Sequence, residues 1–186
     1  MKKVLSILTL VGLASATNLT YDIIPQIGWV IGKYPDNSSE TKDKWSFGGF
    51  EIGAKISYNF PDTQFYLEPG MYYTYVEGKF EADGREGKYG AHFLKIPVRF
   101  LYEVYKDSDF SLKAGLGPYL AYRVDKKEEN AEDWDFGLSL GGALTYMDKI
   151  VFDVRFDWGL KDLVKDEEYE MKTRAFVIDI GYKLNF

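Results

Sequence analysis

The sequence predicts an all-β fold, an eight-stranded antiparallel up-and-down transmembrane β-barrel with a polar, salt-bridged lumen. Three observations lead to this prediction. Eight segments alternate apolar and polar residues with a period of two, which is typical of β-strands. The connections between the segments alternate between long and short. Glycines and charged residues share one face of the strands, while large apolar side chains occupy the other.

The eight segments are distributed along the whole chain after its first twenty residues. The seventh, IVFDVRFDWGL, shows the pattern well, because Asp153, Arg155 and Asp157 alternate with apolar residues on the opposite face. The second segment, SFGGFEIGAKISYNF, is the most regular. The predicted strands lie near residues 22–34, 46–60, 65–75, 94–103, 110–123, 136–145, 150–160 and 174–186.

The lengths of the connections predict how the strands are joined. Long polar connections lie near residues 35–45, 81–91, 125–134 and 161–171, and short ones at 61–64, 106–109 and 148–149. Eight strands joined alternately in this way place all long loops at one end of a barrel and both termini at the other. Pro25, Pro69, Pro97 and Pro118 fall inside predicted strands, where each removes a backbone donor. We expect a bulge or a strand end at each of them.

Alternation alone does not show which face is inside. A soluble lipocalin-like barrel turns its apolar face inward, whereas an outer-membrane barrel turns that face toward lipid. The interior of an eight-stranded barrel is just wide enough to be filled by side chains. The apolar face carries too much bulk for that space, while the charged face is interleaved with glycines. We therefore expect the apolar face to contact lipid and the charged face to line the lumen.

The predicted lumen face carries six acids and seven bases, so its charges nearly balance. Buried charges have to be paired and hydrogen-bonded, and a salt-bridged plug is favoured over a narrow pore lined by the same groups. The members of this predicted charge network are Glu51, Lys55, Glu68, Lys95, Arg99, Glu103, Lys113, Arg123, Asp153, Arg155, Asp157, Asp179 and Lys183.

Aromatic residues make up 17% of the chain and gather near strand ends. Two girdles of aromatic side chains are typical of the two interfaces of a bilayer. The residues that we assign to these interfaces are Trp45, Phe60, Trp134, Trp158, Tyr182 and Phe186.

The first sixteen residues read as a secretory signal peptide, which leaves residues 17–186 as the barrel domain. Lys2 and Lys3 precede an apolar run from Val4 to Leu13 that is too short to span a bilayer, and Ala14-Ser15-Ala16 forms a cleavage site. Without those two lysines the 23 basic residues fall to 21, against 29 acidic ones, a net charge of −8. This balance argues against nucleic-acid binding. The chain has no cysteine. We expect export to a bacterial outer membrane.

The pieces YLEPGMYY, HFLKIPVRFLYEV, LKAGLGPYLAYRV and DFGLSLGGALTY occur in this order. Together they resemble the PorT-like outer-membrane barrels, and the size and topology are also similar to OmpX and the OmpA membrane domain. The resemblance implies an eight-stranded outer-membrane barrel. It also implies a link to protein secretion, which some PorT-like members serve. It supplies no catalytic residues.

Two features of the sequence could have a chemical role, one in catalysis and one in metal binding. His92 is the only histidine, and outer-membrane barrel enzymes generally pair a histidine with a serine near the outer rim. No serine in a strand position reaches His92, so a surface histidine at the interface is favoured. The loop 125–135 holds six acids and two lysines but lacks the spacing of a calcium loop, so a solvated charged loop is favoured.

The sequence favours a monomeric, non-enzymatic barrel with a structural or cell-surface interaction role through four extracellular loops. The alternatives are a narrow porin-like channel for small solutes or ions and an accessory role in protein secretion. The expected partners are outer-membrane lipid, lipopolysaccharide and a surface or secretion-machinery protein. We expect no cofactor and no metal.

Overall fold

The computed structural model describes residues 21–34, 45–82, 85–125, 132–161 and 172–185. The predicted signal peptide, Phe186 and most of the predicted loops at 35–45, 125–134 and 161–171 lie outside these residues. Within the described part of the chain there is no helix long and apolar enough to cross a membrane.

The strands run in chain order around a closed sheet. Their bounds are β1 Tyr21–Tyr34, β2 Trp45–Asn59, β3 Phe65–Ala82, β4 Arg85–Lys106, β5 Phe110–Arg123, β6 Trp134–Tyr146, β7 Ile150–Gly159, β8 Arg174–Tyr182 and β9 Leu184–Asn185. Each strand from β1 to β7 pairs antiparallel with the next, and β1 also pairs with β8 and β9, which closes the barrel. Since β9 continues the line of β8 along β1, the barrel has eight strands, as predicted.

The break between β8 and β9 lies at a proline of the neighbouring strand. The β1 register brings Gln26 opposite Gly181 and Ile23 opposite Leu184, so Pro25 lies beside the break. Pro25 has no N–H to donate. The N–H of Lys183 donates instead to the carbonyl of Lys149 in the turn before β7, at 2.7 Å. Pro25 itself lies within the continuous strand β1 and keeps its register with β2, so the bulge or strand end expected there is wrong, and the break falls in the neighbouring strand instead.

The expectation of bulges or strand ends is wrong for Pro69, Pro97 and Pro118, which lie within continuous strands. A proline removes one ladder hydrogen bond, and the pairing on either side of these three positions keeps its register. The register shift between described strands lies elsewhere, between Glu103 and Tyr105 of β4.

The turns at the end opposite the long loops are short, as predicted. They join β2 to β3, β4 to β5 and β6 to β7. Three of their residues have a positive φ: Asp62 at 57°, Met147 at 49° and Asp148 at 55°. The left-handed backbone at these positions lets the chain reverse within a few residues.

The predicted loop at residues 81–91 is wrong. Strands β3 and β4 continue toward each other as a ladder that ends with Ala82 opposite Arg85, and only residues 83 and 84 between them lie outside the description. The polar composition of this segment suggested a loop, but it keeps strand pairing over most of its length. We call residues 77–92 the outer hairpin.

Burial shows which face is inside. Trp29 and Leu140, on the apolar face, are 62% and 58% exposed on the outside of the barrel, whereas Glu51 and Asp157 are 0% exposed. This is the reverse of a soluble protein, in which apolar residues fill the core. The predicted arrangement, with a polar, salt-bridged interior and an apolar exterior, is confirmed.

Candidate functional site in the barrel lumen

A cluster of four charged residues lies in the half of the lumen nearer the short turns. The Nζ of Lys55 on β2 lies 2.7 Å from Oε2 of Glu68 on β3, and Lys55 also contacts Asp153 on β7. Nη1 of Arg99 on β4 donates to Oδ1 of Asp153 at 2.8 Å, and Nη2 lies 3.3 Å from Glu68. All four side chains are at most 2% exposed. The cluster therefore joins four strands through charge-assisted hydrogen bonds.

Arg155 on β7 is the centre of a second cluster. Nη1 donates to Oδ2 of Asp179 on β8 at 2.6 Å, Nη2 contacts Glu51 on β2, and Nε lies 3.6 Å from Asp157. The guanidinium carbon also lies 5.0 Å from the centre of the Tyr72 ring. The hydroxyl of Tyr72 in turn donates to Gln26 at 2.5 Å.

Toward the end of the barrel that carries the long connections, polar groups become sparse. Lys95 on β4 and the hydroxyl of Ser139 on β6 both contact the carboxylate of Asp157. Oδ2 of Asp135, at the start of β6, accepts hydrogen bonds from the hydroxyls of Tyr119 at 3.0 Å and Thr173 at 2.8 Å.

At the end of the barrel with the short turns, the charges form smaller groups. Nζ of Lys113 lies 3.2 Å from Oγ of Ser57 and 3.5 Å from the centre of the Tyr66 ring. Glu103 accepts a hydrogen bond from the hydroxyl of Ser111 at 2.7 Å.

Two bases of the predicted network pair near the ends of the barrel. Nζ of Lys183 lies 3.0 Å from Asp22 and 2.5 Å from Asp148 in the turn between β6 and β7. Nε of Arg123 lies 2.6 Å from Oδ1 of Asp125, close to the outer rim. The structure therefore brings ten of the predicted residues into the two clusters and the polar groups connected to them, while Glu103, Arg123 and Lys183 lie toward the ends.

Sequence reasoning missed several residues of the lumen. Ser57, Thr74 and Ser139 lie on the polar face that alternation predicts and are buried as expected, whereas Gln26, Tyr72 and Asp135 were not predicted there and are buried inside the barrel as well. Strict alternation could have found them, since Tyr72 lies between Gly70 and Thr74 on the polar face of β3. Gln26 and Tyr72 are neutral and Asp135 ends an acidic segment that was predicted to be a loop, so none of the three was included in the predicted charge network.

The position of Asp135 in the structure shows that the prediction for the loop 125–135 is wrong in part. That segment was predicted to be a solvated charged loop, but its last two residues belong to β6. Trp134 faces outward, and Asp135 is only 5% exposed because it points into the lumen. Residues 126–131 of the same segment lie outside the described residues. No group of three or more His, Cys, Asp or Glu that could hold a metal ion occurs in the described part of the chain.

His92 lies on the outer surface of β4 among aromatic residues. Its Nδ1 is 2.5 Å from the hydroxyl of Tyr73, and its ring lies 4.8 Å from the ring of Tyr75. These contacts are with neighbouring residues of β3 and form no nucleophile–base pair. The arrangement is that of an aromatic surface patch near the long-loop end.

The predicted interface aromatics lie at both ends of the barrel. At the long-loop end the ring of Trp134 lies 4.5 Å from that of Tyr122 in a tilted arrangement, and the guanidinium of Arg174 lies 4.8 Å from the ring of Trp158. At the short-turn end the Phe60 ring lies 5.0 Å from that of Tyr58, and Tyr182 is exposed. Trp45 begins β2 opposite Tyr34, and Phe186 lies outside the described residues.

A closed barrel with an apolar exterior and a charged interior agrees with what sequence comparison finds. Residues 10–165 match the family described as outer membrane protein beta-barrel domain. The chain belongs to this family. It is therefore an integral protein of a bacterial outer membrane. No curated protein matches the chain in sequence.

Several solved structures of outer-membrane barrels are similar to this chain. Ail, the attachment invasion locus protein of Yersinia pestis, solved in complex with the heparin analogue sucrose octasulfate, is 15% identical with a TM-score of 0.50, over 89% of this chain and 99% of Ail. The N-terminal β-barrel domain of Pseudomonas aeruginosa OprF is 10% identical, with a TM-score of 0.46 over 88% and 97%. Neisserial surface protein A is 16% identical, with a TM-score of 0.46 over 88% and 97%. At these identities the similarity concerns the fold, and membership among PorT-like barrels stays a prediction.

Proposed function

We propose that this outer-membrane barrel is a non-enzymatic, monomeric protein with a cell-surface interaction role carried by its extracellular end. The outer hairpin is the observation that supports the proposal. Among the described strands, residues 85–91 of β4 pair with β3 alone, whereas the carbonyl of His92 accepts a hydrogen bond from the N–H of Val124 and the ladder with β5 begins at Phe93. At about 3.3 Å per residue, this side of the hairpin projects roughly 20 Å beyond its neighbour.

The projecting part of β4 has a free edge among the described strands. Backbone N–H and C=O groups along such an edge can pair with an added strand of another protein. The exposed face of the hairpin carries Glu77, Lys79 and Lys88, which offer charges of both signs to a partner. The remaining long loops, which lie outside the described residues, belong to the same proposed surface.

Lipid and lipopolysaccharide are the other proposed partners. Arg174 lies over the ring of Trp158 at the extracellular end of the outer surface. A cation next to an interfacial aromatic suits the phosphate-rich border of the outer leaflet.

A narrow channel is the weaker proposal. Arg99 and Arg155 are fully buried in the middle of the lumen, and their ion pairs connect opposite walls of the barrel. A continuous water path needs open space at this level. An accessory role in protein secretion depends on the resemblance to PorT-like barrels alone.

Shortening the outer hairpin tests the proposed function. Replacing residues 80–87 by Asn-Gly joins Lys79 and Lys88, which are paired in the ladder, through a two-residue turn. The shortened and the complete barrel are each tagged, inserted in nanodiscs and incubated with cell-surface proteins and culture medium of the source bacterium. We expect specific proteins, quantified by mass spectrometry, to be retained by the complete barrel alone. A Lys149→Ala variant, altered at the opposite end, should behave like the complete barrel.

Equal retention by both barrels would contradict an interaction role of the hairpin.

Ion flux through liposomes that contain folded residues 17–186 tests the channel separately. We expect flux no higher than in protein-free liposomes. High flux that changes in Arg155→Ala would make the channel the leading function.

A further inference from the structure

The lumen changes character toward the extracellular end. Beyond the charged clusters, its interior is lined by an apolar cluster against which Tyr89 and Phe93 also pack. The buried members of this cluster are Val30, Phe47, Val76, Ala91, Ala175 and Val177. Apolar residues inside a barrel of this kind are not explained by contact with lipid, because they face away from it.

A cavity lies where the apolar cluster meets the outermost polar groups. Its volume is about 50 Å³, enough for roughly four water-sized groups. The walls include Val30, Phe47 and Val76, and the polar side chains around it include Lys95 and Asp135. The cavity is therefore amphipathic, with mostly apolar walls and a few polar groups at its base.

Only one of the two carboxylate oxygens of Asp135 accepts hydrogen bonds. Both hydroxyl donors, from Tyr119 and Thr173, bind Oδ2. Oδ1 is buried and has no hydrogen-bond partner. Each of the other carboxylates inside the described barrel lies within 4.0 Å of a lysine or arginine, whereas Asp135 does not, since the nearby Lys95 contacts Asp157.

An unpaired carboxylate in an apolar surrounding is unstable unless a cation or a proton compensates it. A water molecule at Oδ1 would find few further partners among the apolar walls. A metal ion would need more oxygen ligands than one carboxylate and two hydroxyls. An anion would be repelled by Asp135.

We propose that this cavity binds a small primary ammonium compound with a short apolar chain. The ammonium group donates to Oδ1 of Asp135, and the chain packs against Val30, Val76 and Phe47. Charge pairing and burial of methylene groups then stabilise the same ligand at its two ends. The inference goes beyond surface interaction, because it concerns the interior and does not depend on the outer hairpin.

Propylammonium, with four non-hydrogen atoms, is the probe that fits the cavity. Residues 17–186 are refolded in phosphatidylcholine nanodiscs, and the methyl NMR signals of Val30, Val76 and Ala175 are followed during titration. We expect saturable shifts with a Kd of about 0.1–10 mM, given how little free energy so small a ligand can gain. The neutral analogue 1-propanol should bind at least roughly tenfold more weakly, because it leaves the carboxylate uncompensated.

The variant Asp135→Asn should lose propylammonium binding by a similar factor while keeping an acceptor for Tyr119 and Thr173. Asp109→Asn, at a periplasmic turn, serves as the control that loses an acid elsewhere. Equal affinities for propylammonium and 1-propanol, or the absence of saturable shifts, would overturn the proposal. This comparison of ligands uses the unaltered protein, so it decides the question even if Asp135→Asn does not fold.

Discussion

Arg155 on β7 and Glu51 on β2 meet inside the barrel, although β8 and β1 lie between their strands. Both side chains are at most 1% exposed. The same guanidinium holds Asp179 on β8 through a 2.6 Å hydrogen bond. Side-chain pairing across the interior thus connects parts of the wall that the backbone ladder joins only through intermediate strands.

Arg155→Met should destabilise the barrel by about 3–5 kcal/mol. It leaves Glu51 and Asp179 buried without another base within salt-bridge distance among the described residues. Urea unfolding in lipid vesicles, followed by tryptophan fluorescence, measures this change. Lys106→Met is the control, because the Lys106 side chain is 63% exposed and its ion pair with Glu103 is long, at 3.8 Å. A loss below about 1 kcal/mol would show that the pairing contributes little.

Glycines should be replaceable only where space allows, and Gly53 on the lumen face of β2 and Gly48 on its outer face differ in this respect. A Cβ at Gly53 would lie 2.7 Å from Cα and Cδ1 of Tyr72, whereas one at Gly48 would have as its nearest neighbour the Val30 carbonyl oxygen, at 3.8 Å. Gly53→Ala should therefore cost about 1–3 kcal/mol through overpacking. Gly48→Ala should be neutral or slightly stabilising. Equal unfolding free energies of the two variants would contradict tight packing beside Gly53.

An arginine on the lipid-facing surface should be destabilising according to its depth. Leu140 lies in the middle of β6, and Leu184 near the periplasmic end of the barrel. We expect Leu140→Arg to cost about 2–4 kcal/mol and Leu184→Arg about 0–1 kcal/mol. Unfolding titrations of both variants in the same vesicles measure the difference. Similar small losses at both positions would place Leu140 away from the hydrocarbon core.

The turn between β4 and β5 should contribute an acid-dependent stability. A hydrogen bond from the Tyr105 hydroxyl, and then those from the N–H groups of Phe110 and Asp109, lower the pKa of Asp107. A lowered pKa in the folded state stabilises the barrel above the unfolded value of about 3.9, and this contribution is lost as the pH falls through the folded value. Asp107→Asn should therefore be less stable than the parent at about pH 6 and approach it at about pH 2. A difference that does not change with pH would contradict this role, and Asp109→Asn is the matched control.

Much of the fold follows from local sequence. The alternation in β7 and the bulk of its apolar face indicated both the strand and the side that meets lipid, because an eight-stranded interior has a fixed size. The outer hairpin could not be predicted in this way. Its many charges and glycines have the composition of a loop, and pairing between β3 and β4 outside the membrane depends on the ladder continuing beyond the rim.

The sequence predicts which charged residues line the lumen, but not which of them form ion pairs with one another. Alternation places Arg155 inside, but the choice of Glu51 depends on the register and tilt of strands that are not neighbours. Asp135 was missed because it ends an acidic segment and looks continuous with it. The effect of Pro69, Pro97 and Pro118 was overestimated from the sequence. Each proline removes one hydrogen bond, but the many other hydrogen bonds of a long paired strand keep its register.

Contact of the apolar outer face with lipid is best tested at Trp29, which lies within β1 and is 62% exposed. The other three tryptophans, Trp45, Trp134 and Trp158, are replaced by phenylalanine, and the barrel is refolded in vesicles. We expect strong quenching of Trp29 fluorescence by lipids with brominated acyl chains and little quenching by aqueous iodide. Quenching by iodide without quenching by the brominated lipids would contradict a lipid-facing apolar surface and with it the transmembrane barrel.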